Sequence, residues 1–366
     1  MPIRTQRSAR RLAPVAAAAA LSLTIAASAD AVTKRGDAKR NTIVGTAQAD
    51  RLFGMGANDS LRGLGGADRL DGGGANDRLS GGAGGDRLLG NIGNDRIFGG
   101  TGDDRGDGGE GSDQLSGEAG ADTLAGQAGR DRLSGGAGND ILAGGSQNDV
   151  LSGGDGADAL KGDAADDRIT GGDGDDMLAG GADSDRVDGG VGDDRIDGGS
   201  GSDRVLGGTG NDYIFERVAA EIERIEGGDG DDYIFTSGGT DRIIRGGAGN
   251  DVVRGGPQIP ARENADQLGD GVSDGGAGND IVLGGGAPDL IQGGDGDDVL
   301  YGGTGLDRYD CGAGSDVAVV EFSLEGAVAT TLGCERIVMG DPSVSDPTFD
   351  GLFGTAHPGK ATGSGA

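Results

Sequence analysis

The chain has 366 residues and carries 62 Asp and Glu against 31 Lys and Arg, a formal net charge of −31 at neutral pH. Gly and Pro make 92 residues (84 + 8), Leu, Ile, Val and Phe together about 70, and Trp is absent, a composition that excludes an ordinary globular core and reads as a self-repelling chain. So acidic a chain repels phosphates instead of displacing their counterions, which excludes nucleic acid and makes cations the natural partners.

At the N-terminus Arg4, Arg7, Arg10 and Arg11 precede the apolar run LAPVAAAAALSLTIAA, which ends in Ala27-Ser28-Ala29. A basic head, a short apolar middle and a small-residue end predict a secretory signal peptide over 1–29, cleaved after Ala29 or Ala31. The run is too short to span a bilayer comfortably. Cleavage after Ala29 removes four arginines and no acid, leaving −31 − 4 = −35. No other long apolar run follows, so the expected mature chain is secreted, lacks a transmembrane segment, and is free or attached at the cell surface. Residues 30–40 read as a linker.

From residue 41 one unit is copied. Aspartates recur every nine residues from Asp50 to Asp212, nineteen in all, and two residues after each stands an apolar side chain, with Gly106 the one lapse. The pattern resumes at Asp232, Asp241 and Asp251, breaks at 255–274, and returns from Asp280 to Asp316. The predicted blocks are 41–254 and 275–318, with 255–274 a surface loop between them. The complete unit reads GGxGxDxUx, as in GGDGDDMLA at 171–179. Glycines at the first, second and fourth positions permit positive φ and close backbone approach. The single apolar residue can point inward from a short strand. Arg69, Arg78, Arg87, Arg96, Arg186, Arg195 and Arg204 follow the aspartate directly and read as charge compensation beside the acidic array.

If the units stack at the strand spacing of about 4.8 Å, neighbouring carboxylates repel by roughly 0.9 kcal/mol even in water. A core of one residue in nine cannot offset this, so a cation is required. Calcium accepts six to eight oxygens in flexible geometry, whereas magnesium demands a tight octahedron. No His lies in the repeats, which argues against zinc or copper.

Over residues 41–318 this pattern resembles the RTX (haemolysin-type) calcium-binding nonapeptide family. The resemblance implies an all-β fold, a parallel β-roll in which each nonapeptide gives a glycine turn and a short strand and two make one coil. It also implies several Ca2+ ions in the turns, held by backbone carbonyls and by aspartates of successive turns. Fourteen units keep the full GGxGxD pattern and supply the candidate metal ligands Asp86, Asp104, Asp113, Asp140, Asp158, Asp176, Asp194, Asp203, Asp212, Asp232, Asp251, Asp280, Asp298 and Asp307. Where Gln147, Ala165, Asp183 or Ala287 replaces the fourth glycine, a left-handed backbone costs roughly 1–2 kcal/mol and a weaker site is expected. The glycine-free stretch 213–226 reads either as a short helix on Val218, Ile222 and Ile225 or as an irregular coil.

Catalytic motifs fail on context. Gly271-Val272-Ser273-Asp274-Gly275 matches the serine-hydrolase elbow but runs into a repeat turn, and the one histidine, His357, lies in a Gly/Pro-rich tail. Gly354 to Lys360 nearly spells a phosphate loop, but Ala361 stands where Ser or Thr would hold magnesium. The acid pairs Asp103-Asp104 and Asp175-Asp176 recur with the repeat and belong to its turns. No enzyme is expected, since the repeats begin too near the cleavage site to leave room for a catalytic domain.

Cys311 and Cys334 are expected to pair after export. Residues 319–340 read as a disulfide-linked cap on the open end of the roll, and 341–366 as a disordered tail unlike the family's uncleaved export signal. The expected function is a calcium-binding structural protein that interacts with cell-surface or matrix components. The alternative is a carbohydrate-active roll or an accessory subunit of an exported enzyme.

Overall fold

The computed structural model describes residues 30–216, 223–236, 242–255, 272–285, 288–303, 307–321 and 330–340. The signal-peptide expectation and the tail fall outside them.

Each unit places its apolar residue between two outward side chains, and the alternation dictates the strand. In Arg87–Ile92 and Arg168–Asp173 the second and fourth residues are buried and the others face out. One such strand has a single large apolar side chain and cannot form a core alone, so burial comes from stacking coils. Strands eighteen residues apart pair in parallel and in register, Leu70 on Leu88 and Ile169 on Val187. Alternate strands go to opposite walls, giving sheets of 17 and 16 strands. Between them lies a single column of Leu, Ile and Val side chains; Leu52, Leu88, Ile97 and Ile196 are fully buried. At Gly106 the gap is filled from neighbouring coils: an added Cβ there would lie 3.0 Å from Leu124 and 3.4 Å from Leu115. The expected parallel β-roll is therefore the fold, with no helix among the described residues.

Four expectations are corrected at the edges of the repeat blocks. The roll begins inside the supposed linker, because Thr33–Arg35 pairs with Arg51, Leu52 and Phe53. In the stretch 213–226, Tyr213–Glu216 and Glu223–Asp229 are strands of the two sheets and Ile225 is core; Val218 and Ile222 lie outside the described residues. The second block resumes earlier than expected, with strand Val272–Ala277, so 272–274 are not loop, and 256–271 lie outside the described residues. The supposed cap continues the roll: Val317–Glu321 pairs in parallel with Val299–Gly303, and Arg336–Gly340 with Val317–Glu321. Here Tyr309 replaces the small aliphatic. It is buried, and its hydroxyl accepts the Gly302 N–H at 2.9 Å and donates to the Val319 carbonyl at 3.1 Å.

Cys311 and Cys334 are disulfide-bonded across Cα atoms 5.1 Å apart. Closing this loop of 23 residues contributes about 3 kcal/mol in the chain-entropy account. Cys334→Ser should lower the melting temperature of the calcium-loaded protein, and no thiol should titrate in the unreduced, denatured chain; two titrating thiols would contradict the pairing. The segment from Asp50 to Asp212 should extend roughly 45 Å, at about 4.8 Å per coil. A compact globule in small-angle scattering with calcium present would contradict that.

Candidate metal centre

Close stacking of successive coils forces the turns into their shape. In the turn before Asp176, Gly172 and Gly174 have φ of +132° and +133°. A Cβ on either would run into the carbonyl oxygen of the equivalent residue one coil earlier, Gly154 or Gly156. The first glycine, Gly171, has no positive φ; it is required because a Cβ there would strike Asp176 Oδ2 and the Gly189 carbonyl. The turn is a cradle with room for carbonyl and carboxylate oxygens only.

The aspartate closes each turn from inside. Its main-chain N–H donates to Oδ1 of the aspartate one coil on, as from Asp158 to Asp176 at 2.8 Å and from Asp68 to Asp86 at 2.7 Å. Its carbonyl accepts from the residue nineteen places on, as Asp158 does from the Met177 N–H. Three of its four polar atoms are thus satisfied, and Oδ2 is not. Twenty-six aspartates are buried in these columns, and 24 of them leave a buried Oδ2 without a hydrogen-bond partner. The position-four carbonyls, such as Gly156 and Gly174, accept no backbone hydrogen bond among the described residues.

The two edges of the roll differ. On the first, which leads into the 17-stranded sheet, the aspartate column runs through every coil from Asp50 to Asp316. Eleven of the fourteen candidate ligands stand there: Asp86, Asp104, Asp140, Asp158, Asp176, Asp194, Asp212, Asp232, Asp251, Asp280 and Asp298. The second edge holds Asp113, Asp203 and Asp307. All 14 are buried. The sequence irregularities fall on the second edge. Asp212 still bonds to Asp232, Asp232 to Asp251, and Asp251 to Asp280, across separations of 20, 19 and 29 residues. Meanwhile the strand register puts Glu223 and Arg242 in the second column, where Asp241 was expected to continue it. Sequence reasoning missed this division because it treated the units as one series.

Gln147, Ala165 and Asp183 take the left-handed conformation that glycine was expected to supply, with φ of 75°, 82° and 75°; Ala287 lies outside the described residues. The arginines do not serve the buried column in the described ion pairs. Arg69 approaches Asp71 at 4.0 Å and Arg245 approaches Glu226 at 3.3 Å, both on outer faces, and Arg78 lies 4.5 Å over the Phe98 ring. Ser273, the nucleophile of the elbow motif, is a buried strand residue, which removes that reading. A groove of about 790 Å³ runs along the second edge, lined by Asn58, Asn76, Asn94, Arg78, Arg96 and Arg132 among others. Its asparagines form a ladder, Asn94 N–H to Asn76 Oδ1 at 2.9 Å and Ser112 N–H to Asn94 Oδ1 at 2.8 Å.

Burial raises the carboxyls of the metal-free chain. Desolvation is the main cause; the N–H bond to Oδ1 opposes it, and neighbouring aspartates add to it. Asp176 and Asp212 are pushed up to about 6, Asp194 and Asp280 to about 7, and Asp185 to about 8, from 3.8. The repulsion between carboxylates expected from the spacing is present, and loss of water adds to it as the larger cause. A divalent cation supplies what burial removes. The donor set fits calcium, since all of it is oxygen and most is backbone, and no cluster of three or more acidic, His or Cys side chains forms among the described residues.

These shifts set how acid acts on the metal-free chain. A carboxyl with a raised folded value binds more protons folded than unfolded, so its contribution is full below about 3.8 and is lost as pH rises through about 6 to 8. In excess chelator, acidification from pH 8 to pH 4.5 should increase β structure, read by circular dichroism. Loss of β structure over that window would contradict the burial argument.

A comparison with the curated proteins finds no match. A family model for the RTX calcium-binding nonapeptide repeat matches residues 35–70, 53–88, 80–115, 116–151, 152–187, 179–214, 220–244, 243–258, 274–309 and 283–318. These matches cover well over half of the chain and follow the coils of the roll, and the chain belongs to the RTX calcium-binding nonapeptide repeat family.

Proposed function

We propose that the protein is a secreted, non-enzymatic roll that folds as calcium enters its turns and serves as a structural or surface-matrix component. The observation that carries this reading is the repeated buried Oδ2 atom without a partner. Buried polar atoms are normally hydrogen-bonded, and here the deficit recurs from coil to coil at the same atom. The fourteen aspartates of the complete turns would hold the ions, with turn carbonyls completing the oxygen shell. Because the site does not exist in the unfolded chain, binding free energy is folding free energy. Export rests on the N-terminal signal sequence, and an extracellular setting supplies calcium at the concentrations such modules use. No helix among the described residues is long and apolar enough to cross a membrane.

The groove along the second edge favours a second reading, a carbohydrate-binding roll or accessory subunit. Its amide ladder and arginines suit the hydroxyls and carboxylates of a glycan. Binding on a glycan array would support that reading; a clean array would leave the structural one.

At neutral pH in chelator the mature chain should be expanded and lack β structure. Calcium should induce β structure cooperatively with a midpoint of roughly 10⁻⁴–10⁻³ M, and magnesium at the same concentration should do little. Circular dichroism during the titration decides it. A full β spectrum persisting in excess chelator would falsify the proposal.

A further inference from the structure

We infer that the two edges of the roll load calcium unequally: the first edge is the tight array that drives folding, and the second fills only afterwards and at higher concentration. This rests on the calcium reading above and adds which turns matter and in what order.

Three observations separate the edges. The first is turn chemistry. Ten non-glycine residues among the described residues have positive φ; eight stand in second-edge turns, including Gln127, Gln147, Asp163, Ala165 and Asp183, and two, Leu64 and Glu118, in first-edge turns. Each carries a Cβ in a left-handed turn position where Gly172 and Gly174 carry none. Left-handed strain is therefore concentrated on the second edge, at a conformational cost of roughly 1–2 kcal/mol per residue.

The second observation is continuity. First-edge turns from Asp140 to Asp298 all keep the complete GGxGxD sequence, nine in succession. On the second edge complete turns stand alone, at Asp113, Asp203 and Asp307. On both edges aspartates of successive coils are joined by N–H to Oδ1 bonds, so an ion that fixes one carboxylate also fixes its neighbour's backbone; what differs is the run of complete turns along the ladder. Cooperative loading needs an unbroken run, and one edge has it.

The third observation is where the chain tolerates change. The additional residues between Asp212 and Asp280 leave the first-edge ladder intact and place Glu223 and Arg242 in the second column. Among the described residues, Asp50 to Asp316 is thus the aspartate column that runs without interruption through all three insertions.

The test is metal counting by equilibrium dialysis with radioactive calcium on the mature full-length chain, alongside circular dichroism. When the β signal is complete, bound calcium should not exceed the 15 aspartates of the first edge, against 26 buried aspartates in all (15 + 11). Further ions should bind later without a change in β structure. Asp194→Asn should raise the calcium midpoint several-fold and broaden the transition. Asp185→Asn, one unit earlier but on the second edge, should leave the midpoint within a factor of two. Gln147→Gly completes a second-edge turn whose neighbours stay incomplete, and should leave the early count unchanged. Simultaneous filling of both edges, or equal shifts from the two asparagine variants, would overturn the inference while leaving calcium binding intact. No bound calcium at all would overturn the underlying reading as well.

Discussion

The bond from one aspartate's main-chain N–H to the next coil's Oδ1 is the interaction on which the rest of the structure depends. It fixes the coil at two units, because only a partner one full coil away lies in reach. It draws the carboxylate inside, so its charge is lost to water. It also spends one oxygen and leaves the other without a partner. Register, burial and the need for a cation follow from one geometric choice repeated along the chain.

The small core follows from the same choice. Two sheets this close leave room for one large side chain per strand, and the column of Leu, Ile and Val runs from Ile43 to Leu300 with breaks at Gly106 and Ser273. An apolar column of this kind sets register but adds little burial per residue, and for a chain of net charge −31 it is a weak opponent of self-repulsion. The disulfide and the buried, doubly bonded Tyr309 hydroxyl hold the C-terminal coils, where the glycine turns give out.

Much of this was legible in the sequence because a nine-residue period fixes strand, turn and buried residue at once. The apolar residue two places after each aspartate proved to be core at Leu52 and at Leu300 alike. What escaped is instructive. The roll runs past the repeat at both ends, because Thr33–Arg35 and Arg336–Gly340 pair through backbone groups that carry no sequence signature. Ser273, whose elbow motif already failed on context, is buried in a strand, since register, not motif, decides which way a strand residue faces. The inequality of the edges was written in the chain but in every second unit, and it emerges only when the eighteen-residue coil replaces the nine-residue unit as the object read.

A solenoid whose edges were both complete would be a uniform rod, equally constrained everywhere. Here the constraint is concentrated. One edge keeps its glycines and its aspartates through the very coils where the other gains residues and loses its column. The outer faces differ along the same axis: arginines stack in register at Arg168, Arg186 and Arg204 on one wall, whereas Tyr213 and Tyr233 stack with centroids 5.1 Å apart on the other. Such variation is tolerated only where it does not touch the element that holds the fold. The continuous first-edge column holds the register through these coils, so the second edge and both faces can differ without loss of the fold.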